Sequence, residues 1–164
     1  ELPKTTGVKG KDGKTHQVDI TQPDSLESLP RNFDWIIFCA SSGRGSAEAH
    51  RTVFVDGINN LIDWLGETSA RVLFTSSTNI YPQTDGNWVD ESTPRQPVTG
   101  TAQNLVDAET ALIESGITYS ILRVAGIYGP DRGYFYRQLL NNEAVITDKG
   151  KRWMNMIHLT HFIG

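Results

Sequence analysis

Short apolar runs alternate with polar, glycine-bearing stretches along this chain. Asp34-Trp-Ile-Ile-Phe-Cys-Ala40 is apolar almost without interruption, as expected of a strand buried on both faces of a parallel sheet. Phe54, Ile58, Leu61, Ile62 and Leu65 fall at i, i+4, i+7, i+8 and i+11, which is one face of a helix. Ser46 can cap that helix, Glu48 suits its positive end, and Gly66 can stop it. Residues 72–76 form the next apolar run. A proline-bearing loop over 82–98 leads to a second helix, about 102–115, with Leu105, Val106, Leu112 and Ile113 on one face and Gly116 as its stop. Residues 118–125 read as a strand, 134–140 as a helix and 154–158 as extended. Upstream, residues 1–16 read as a polar, glycine-rich loop, 17–20 as a short strand, and 23–29 as a short helix capped by Asp24 or Ser25.

Strands alternating with helices predict βαβ units and a parallel sheet. Residues 35–40, 72–76 and 118–124 are expected to be adjacent parallel strands in chain order, with helices on the faces. No repeat, low-complexity tract or linker divides the chain, so residues 1–164 read as one domain.

Composition narrows the function classes. The 164 residues are 38% hydrophobic, enough for a core, and carry a net charge of −4. With pI near 5.5 there is no basic stripe to attract nucleic acid. A single cysteine, Cys39, rules out an internal disulfide and a cysteine-based zinc site. No apolar run approaches the ~18–20 residues of a membrane span. A reducing, cytoplasmic setting is expected, with a small molecule as partner. The chain opens on Glu1 rather than Met and reads as a fragment or processed product.

Three glycine motifs bear on phosphate binding. Gly7-Val-Lys-Gly-Lys-Asp-Gly13 has GxxGxxG spacing, but neither a buried strand before it nor a helix after it, so it reads as a solvated turn. Gly13-Lys-Thr15 lacks the first P-loop glycine, since Val8 stands at that position. Ser42-Gly-Arg-Gly-Ser46 follows a strand and opens a helix. It is open to two readings: an anion or cofactor contact aided by Arg44, or an ordinary strand-to-helix turn, Glu48 standing where a third glycine would be.

The most telling stretches are Arg71-Val-Leu-Phe-Thr-Ser-Ser-Thr-Asn-Ile-Tyr81 and Ile121-Leu-Arg-Val-Ala-Gly-Ile-Tyr-Gly-Pro130. Each is an apolar run ending in hydroxyl-bearing or glycine residues, as at the carboxyl end of a strand that delivers chemistry. Together they resemble the extended short-chain dehydrogenase/reductase family of nucleotide-sugar epimerases and dehydratases. The resemblance implies an α/β, Rossmann-like, doubly wound parallel sheet, incomplete at the N-terminus. It also implies that residues from about 131 to 164 lead into a small substrate lobe.

The resemblance assigns roles by position. Asp19-Ile20 matches the acidic–aliphatic pair at the adenine ring, and Ala40-Ser41 matches the segment that lets the backbone approach the cofactor. Thr75, Ser76 and the Gly126-Ile127 pair match further cofactor contacts, and Ser77 matches the hydroxyl that holds the substrate oxygen where hydride is gained or lost. On the residues alone, Asp19 could equally be a solvated strand-end aspartate and Ser77 a turn serine. Arg123 and Tyr128 read as structural.

The sequence departs from the family at the catalytic Tyr-x-x-x-Lys. Counting from Pro97 and from Glu109, Thr101 stands at the tyrosine position and Leu105 at the lysine position; a register two residues earlier gives Thr99 and Gln103. Neither holds a proton relay that titrates near neutral pH. After Met156-Ile-His-Leu159, Thr160-His161 replaces the family's acidic pair, and no metal site is expected. The resemblance thus implies NAD or NADP as cofactor, a hydroxyl-bearing substrate such as a nucleotide sugar, and an atypical active site. The competing reading is a redox-silent module that holds NAD(P) without turnover.

Overall fold

The computed structural model describes residues 6–9, 15–43, 45–130, 132–146 and 148–163. Part of Gly7–Gly13, all of Gly13-Lys14, and Arg44 lie outside the described residues. The elements in chain order are β1 (Thr6–Lys9), β2 (Thr15–Val18), α1 (Pro23–Leu26), β3 (Trp35–Phe38), α2 (Ala47–Arg51), a π-helical turn (Thr52–Asp56) and α3 (Gly57–Leu65). They continue with β4 (Arg71–Ser77), a 3₁₀ turn (Thr78–Ile80), α4 (Gly100–Glu114), β5 (Thr118–Val124), β6 (Gly126–Tyr128), α5 (Tyr134–Leu140), a 3₁₀ turn (Asp148–Gly150), β7 (Met156–His158) and α6 (Leu159–Ile163).

The central sheet runs β3-β4-β5, parallel throughout, with Phe38 opposite Phe74 and Ser77 opposite Val124. This is a Rossmann-like doubly wound α/β architecture. Beside it stand two small sheets, an antiparallel β1-β2 pair and a parallel β6-β7 pair. Among the described residues β2 pairs with β1 and not with β3. The expected loop over 1–16 is corrected by the β1-β2 pair, and the strand placed at 17–20 is Thr15–Val18.

One helical stripe builds the core. Phe54, Ile58, Leu61 and Leu65 are buried against Phe38, Val72 and Phe74, while Leu105, Ala108 and Leu112 of α4 close the same cluster. Phe38 lies 5.6 Å from Phe74, centroid to centroid, and 6.3 Å from Phe54, all in tilted or edge-on contacts that aromatic quadrupoles favour. Gly57 lets α3 approach closely, because a Cβ there would meet Ile20 at 3.2 Å.

The ends follow local rules. Ser46 accepts a hydrogen bond from Ala49 N at 3.2 Å, Thr99 accepts one from Ala102 N at 3.2 Å, and Gly66 closes α3 at φ 54°. α1 differs from expectation. Its cap is Gln22, without a side-chain bond, Pro23 fills the first turn, and Ser25 turns back to accept from Asp19 N at 2.7 Å.

The sheet is not buried on both faces. Trp35 is 55% and Ile37 is 63% exposed, so the apolar run at 34–40 serves one buried face and one open face among the described residues. The guanidinium of Arg71 lies 4.9 Å over the Trp35 ring and covers part of it.

Candidate functional site

The carboxyl ends of β3, β4 and β5 lie side by side. Residues 39–43 leave β3, the Thr78–Ile80 turn leaves β4, and Ala125 joins β5 to β6. This edge is where open α/β sheets bind ligands.

β4 alternates in burial. Val72, Phe74 and Ser76 point into the helix-covered core, and Leu73, Thr75 and Ser77 point to the other face. Ser76 therefore has an internal partner: its hydroxyl donates to Glu109 Oε1 at 2.6 Å. Ser77 is half-buried and its Oγ accepts from Asn79 N at 3.3 Å, leaving its hydroxyl hydrogen at the strand end. Next to it, Asn155 donates through Nδ2 to Thr78 Oγ1 at 3.1 Å, while Asn155 O accepts from Gly126 N at 3.1 Å. The two bonds draw the end of β4 and the β6-β7 pair together. Gly126 is the residue this approach needs, since a Cβ there would sit 2.7 Å from Met156 Sδ.

Glu109 is fully buried and paired with two arginines. Arg123 Nη2 at 2.8 Å and Arg95 Nη1 at 3.2 Å both reach its Oε2. The hydrogen bond to Glu109 raises the Arg123 pKa further above its usual range, against the pull of burial. Arg123 also donates to the Tyr81 hydroxyl at 2.7 Å, which in turn donates to Asp90 O at 2.8 Å. The loop over 82–98 is thereby tied to the strand ends. Asp90 is exposed, and hydrogen bonds from the Ser92 and Thr93 side chains and main chain hold its carboxyl below its usual range.

Helix α4 carries both pairs of residues that stand at the two possible relay registers. Thr101, Leu105 and Glu109 share one stripe at i, i+4 and i+8. Glu109 reaches β4 through Ser76, and Leu105 is buried in the core. Thr99 is the helix cap, and Gln103 is exposed and bonded to Asp107 at 2.7 Å. Thr101 is half-buried, with its hydroxyl 3.3 Å from that of Thr99.

Asp19 and Ile20 follow β2 at the edge of α3. Asp19 Oδ1 accepts from Thr21 N and Oγ1, and Ile20 O accepts from Asn60 Nδ2 at 2.9 Å. After β3, Ala40 is half-buried and Ser41 exposed, with Ser41 Oγ accepting from Gly43 N at 3.2 Å. Strand-end donors and acceptors are thus neutral: the hydroxyls of Ser41, Ser77 and Thr78, with main-chain groups at Ala40, Gly126 and Ile127. That set fits the nicotinamide and ribose of an NAD(P), whose amide and hydroxyls need neutral partners.

Sequence reasoning used Glu109 only to count register and passed over His50, Asn104 and Asn155. A carboxylate two turns along the stripe from Thr101 was the available signal for Glu109. Among the described residues no group of three or more His, Cys, Asp or Glu could hold a metal, and no helix is long and apolar enough to cross a membrane.

A family profile described as NAD(P)H-binding matches residues 4–153. Protein YeeZ of Escherichia coli K12 is 34% identical over 115 residues, which cover 68% of this chain and 39% of that protein. Among solved structures, a putative NAD-dependent epimerase/dehydratase from Methylobacillus flagellatus is 29% identical, with a TM-score of 0.61, over 86% of this chain and 49% of that one. The Bordetella bronchiseptica enzyme WbmG, solved in complex with NAD and UDP, is 18% identical with a TM-score of 0.69 over 90% of this chain and 50% of that one, a likeness of fold. The chain therefore spans half or less of the length of these relatives. It is a Rossmann domain related, at superfamily level, to the epimerases and dehydratases.

Proposed function

The chain belongs to the NAD(P)H-binding family, and from that premise we propose that the protein is an NAD(P)-dependent oxidoreductase of the epimerase/dehydratase kind with an atypical active site. Its substrate is a hydroxyl-bearing small molecule, with a nucleotide sugar as the favoured class. The observation that carries this reading is Ser77, a hydroxyl on a rigid strand end that its register places beside the β5–β6 junction.

When bound, NAD(P) supplies the hydride acceptor or donor. The chain's residues do the rest. Ser77 holds the substrate oxygen, and a small donor fixed by a seven-residue strand needs little reorganisation. Ala40, Ser41, Thr75, the main chain of Ser76, Gly126 and Ile127 border the cofactor, and Asp19-Ile20 meets its adenine end. Thr101 stands at the place of the family's tyrosine without its acidity. Residues from about 131 onward belong to the substrate lobe, and the cytoplasm is the proposed setting.

A second reading, a cofactor-holding module without turnover, draws support from Leu105. Its burial leaves an apolar side chain where a lysine would lower the pKa of the catalytic hydroxyl.

The test uses the full-length protein. NADH and NADPH are titrated by calorimetry, and a panel of nucleotide sugars is then assayed for cofactor reduction and epimerisation. Ser77→Ala should lower turnover by about 10- to 1000-fold, and Thr101→Ala by much less. The reverse ranking would overturn the assignment. Cofactor binding without turnover on any nucleotide sugar would select the module.

A further inference from the structure

The β4-β5 ladder ends where Ser77 stands opposite Val124. Beyond that point the two strands separate. β4 turns off through Thr78–Ile80, and past Ala125 the chain of β5 continues as β6, whose ladder is with β7. Ser77 and Gly126 stand on opposite sides of this gap. One residue reaches both sides: Asn155 donates through Nδ2 to Thr78 Oγ1 at 3.1 Å, and its main-chain O accepts from Gly126 N at 3.1 Å. We infer that Asn155 is a positioning residue for Ser77, setting the Ser77 hydroxyl relative to the cofactor edge at Gly126. This rests on the oxidoreductase reading above and deepens it.

The two bonds close a ring of residues. Ser77 leads to Thr78, Thr78 to Asn155, Asn155 to Gly126, and Gly126 back through Ala125 and Val124 to Ser77 across the ladder. The turn that carries Ser77 is held at its far end by Ile80, which has no exposed surface, and by Tyr81 N donating to Thr78 O at 3.2 Å. Ser77 Oγ accepts from Asn79 N at 3.3 Å and so caps the same turn. Its near end, where the ladder stops, is held at Thr78 by Asn155. Without that bond the turn can hinge about the last ladder residue, and the Ser77 hydroxyl swings with it.

A positioning residue must itself be fixed, and Asn155 is fixed on both flanks. On one side Met156 begins β7 and stands opposite Gly126. On the other, the Trp153 ring lies against the loop that follows β4: a Cβ at Gly86 would meet that ring at 2.5 Å, and Gly86 has φ 88°. Residues 153–155 thus touch the loop, the end of β4 and the start of β6. The side chain is short and neutral, so its bond to Thr78 does not change with pH. Holding a reacting group to within a fraction of an ångström is what such a supporting hydrogen bond contributes, since a misplacement of about 1 Å can cost about 100-fold in rate.

The experiment has two arms, both on the full-length protein. The first follows the main-chain amides of Ser77 and Gly126 by ¹⁵N NMR during titration with NADH and with NADPH. In the wild type both amides should shift together. In Asn155→Leu, which keeps the main-chain bond and removes the donor, Gly126 should shift as before and Ser77 should respond little. Thr78→Val removes the same bond from the other side and should give the same pattern. Asn155→Asp should restore the Ser77 response, because the Thr78 hydroxyl can donate to a carboxylate. An undiminished Ser77 response in both Asn155→Leu and Thr78→Val would overturn the inference. If neither amide shifts in the wild type, the cofactor reading fails and takes the inference with it, a result distinct from the previous one. The second arm uses the nucleotide sugar turned over in the panel. Asn155→Leu should lower kcat by about 10- to 100-fold, with KM and NADH affinity little changed. In a Ser77→Ala background the same substitution should cost less than about 2-fold, because Asn155 acts through Ser77. Full additivity with Ser77→Ala would make Asn155 a tie between two sheets and nothing more, and a raised KM at unchanged kcat would make it a substrate contact; either result overturns the inference. Cofactor shifts without turnover on the panel select the module, and the inference falls with the enzyme reading.

Discussion

Glu109 is the residue on which the strand ends most depend. It has no exposed surface, and it receives Ser76, Arg95 and Arg123 at once. Removing one partner of a buried ion pair costs more than the pair contributes, because the remaining charge stays desolvated. Glu109→Gln should therefore destabilise the domain by about 3 kcal/mol, a fall in Tm of roughly 6–12 °C. A loss under about 1 kcal/mol in urea unfolding would show that water reaches the arginines. The role of Glu109 was hidden in the sequence for a physical reason. Its partners lie 14 and 33 positions away in the chain, and a glutamate in a helix ordinarily faces solvent.

At the scale of elements, the helix starts were legible and the helix-to-helix contact was not. Ser46 and Thr99 cap α2 and α4 by local hydrogen bonds that a four-residue window can show. Replacing either by alanine should cost about 1 kcal/mol. The two starts also touch, through Asn104 to Ala47 O and through Gly100 packed on Ala47. The double variant should therefore depart from the sum of the single ones by more than about 0.5 kcal/mol. Strict additivity in chemical denaturation would mean that the starts behave independently. Within the same long helix, the π-helical turn at Thr52–Asp56 shifts the stripe that carries Phe54 and Ile58. Hydrophobic spacing alone reads the helix as regular, because a one-residue widening moves an apolar face by less than the face is wide.

At the scale of the molecule, the sheet has one dry face and one open face among the described residues, and the apolar run at 34–40 conceals which is which. Phe38 is buried in the core, whereas its neighbour Ile37 is largely exposed. Phe38→Ala should cost about 3–5 kcal/mol, since it leaves a cavity between Phe54 and Phe74. Ile37→Ser should stay within about 0.5 kcal/mol. Comparable losses at both positions in urea unfolding would place a covering layer on the outer face.

The sequence by itself determined the alternation of strands and helices, the parallel order of the three central strands, the stripe that fills the core, and the strand ends that carry small hydroxyl-bearing residues. These are local properties, because residue periodicity and cap chemistry act over one or two turns of chain. Only the tertiary structure decided the antiparallel pairing of Thr6–Lys9 with Thr15–Val18, the open face at Trp35 and Ile37, and the burial of Leu105 on α4 while Gln103 stays exposed. It alone brought Asn104 to His50 across 54 positions and Asn155 to Thr78 across 77. Such contacts arise when separate elements close on a common core, and no short window of sequence carries the distance between them.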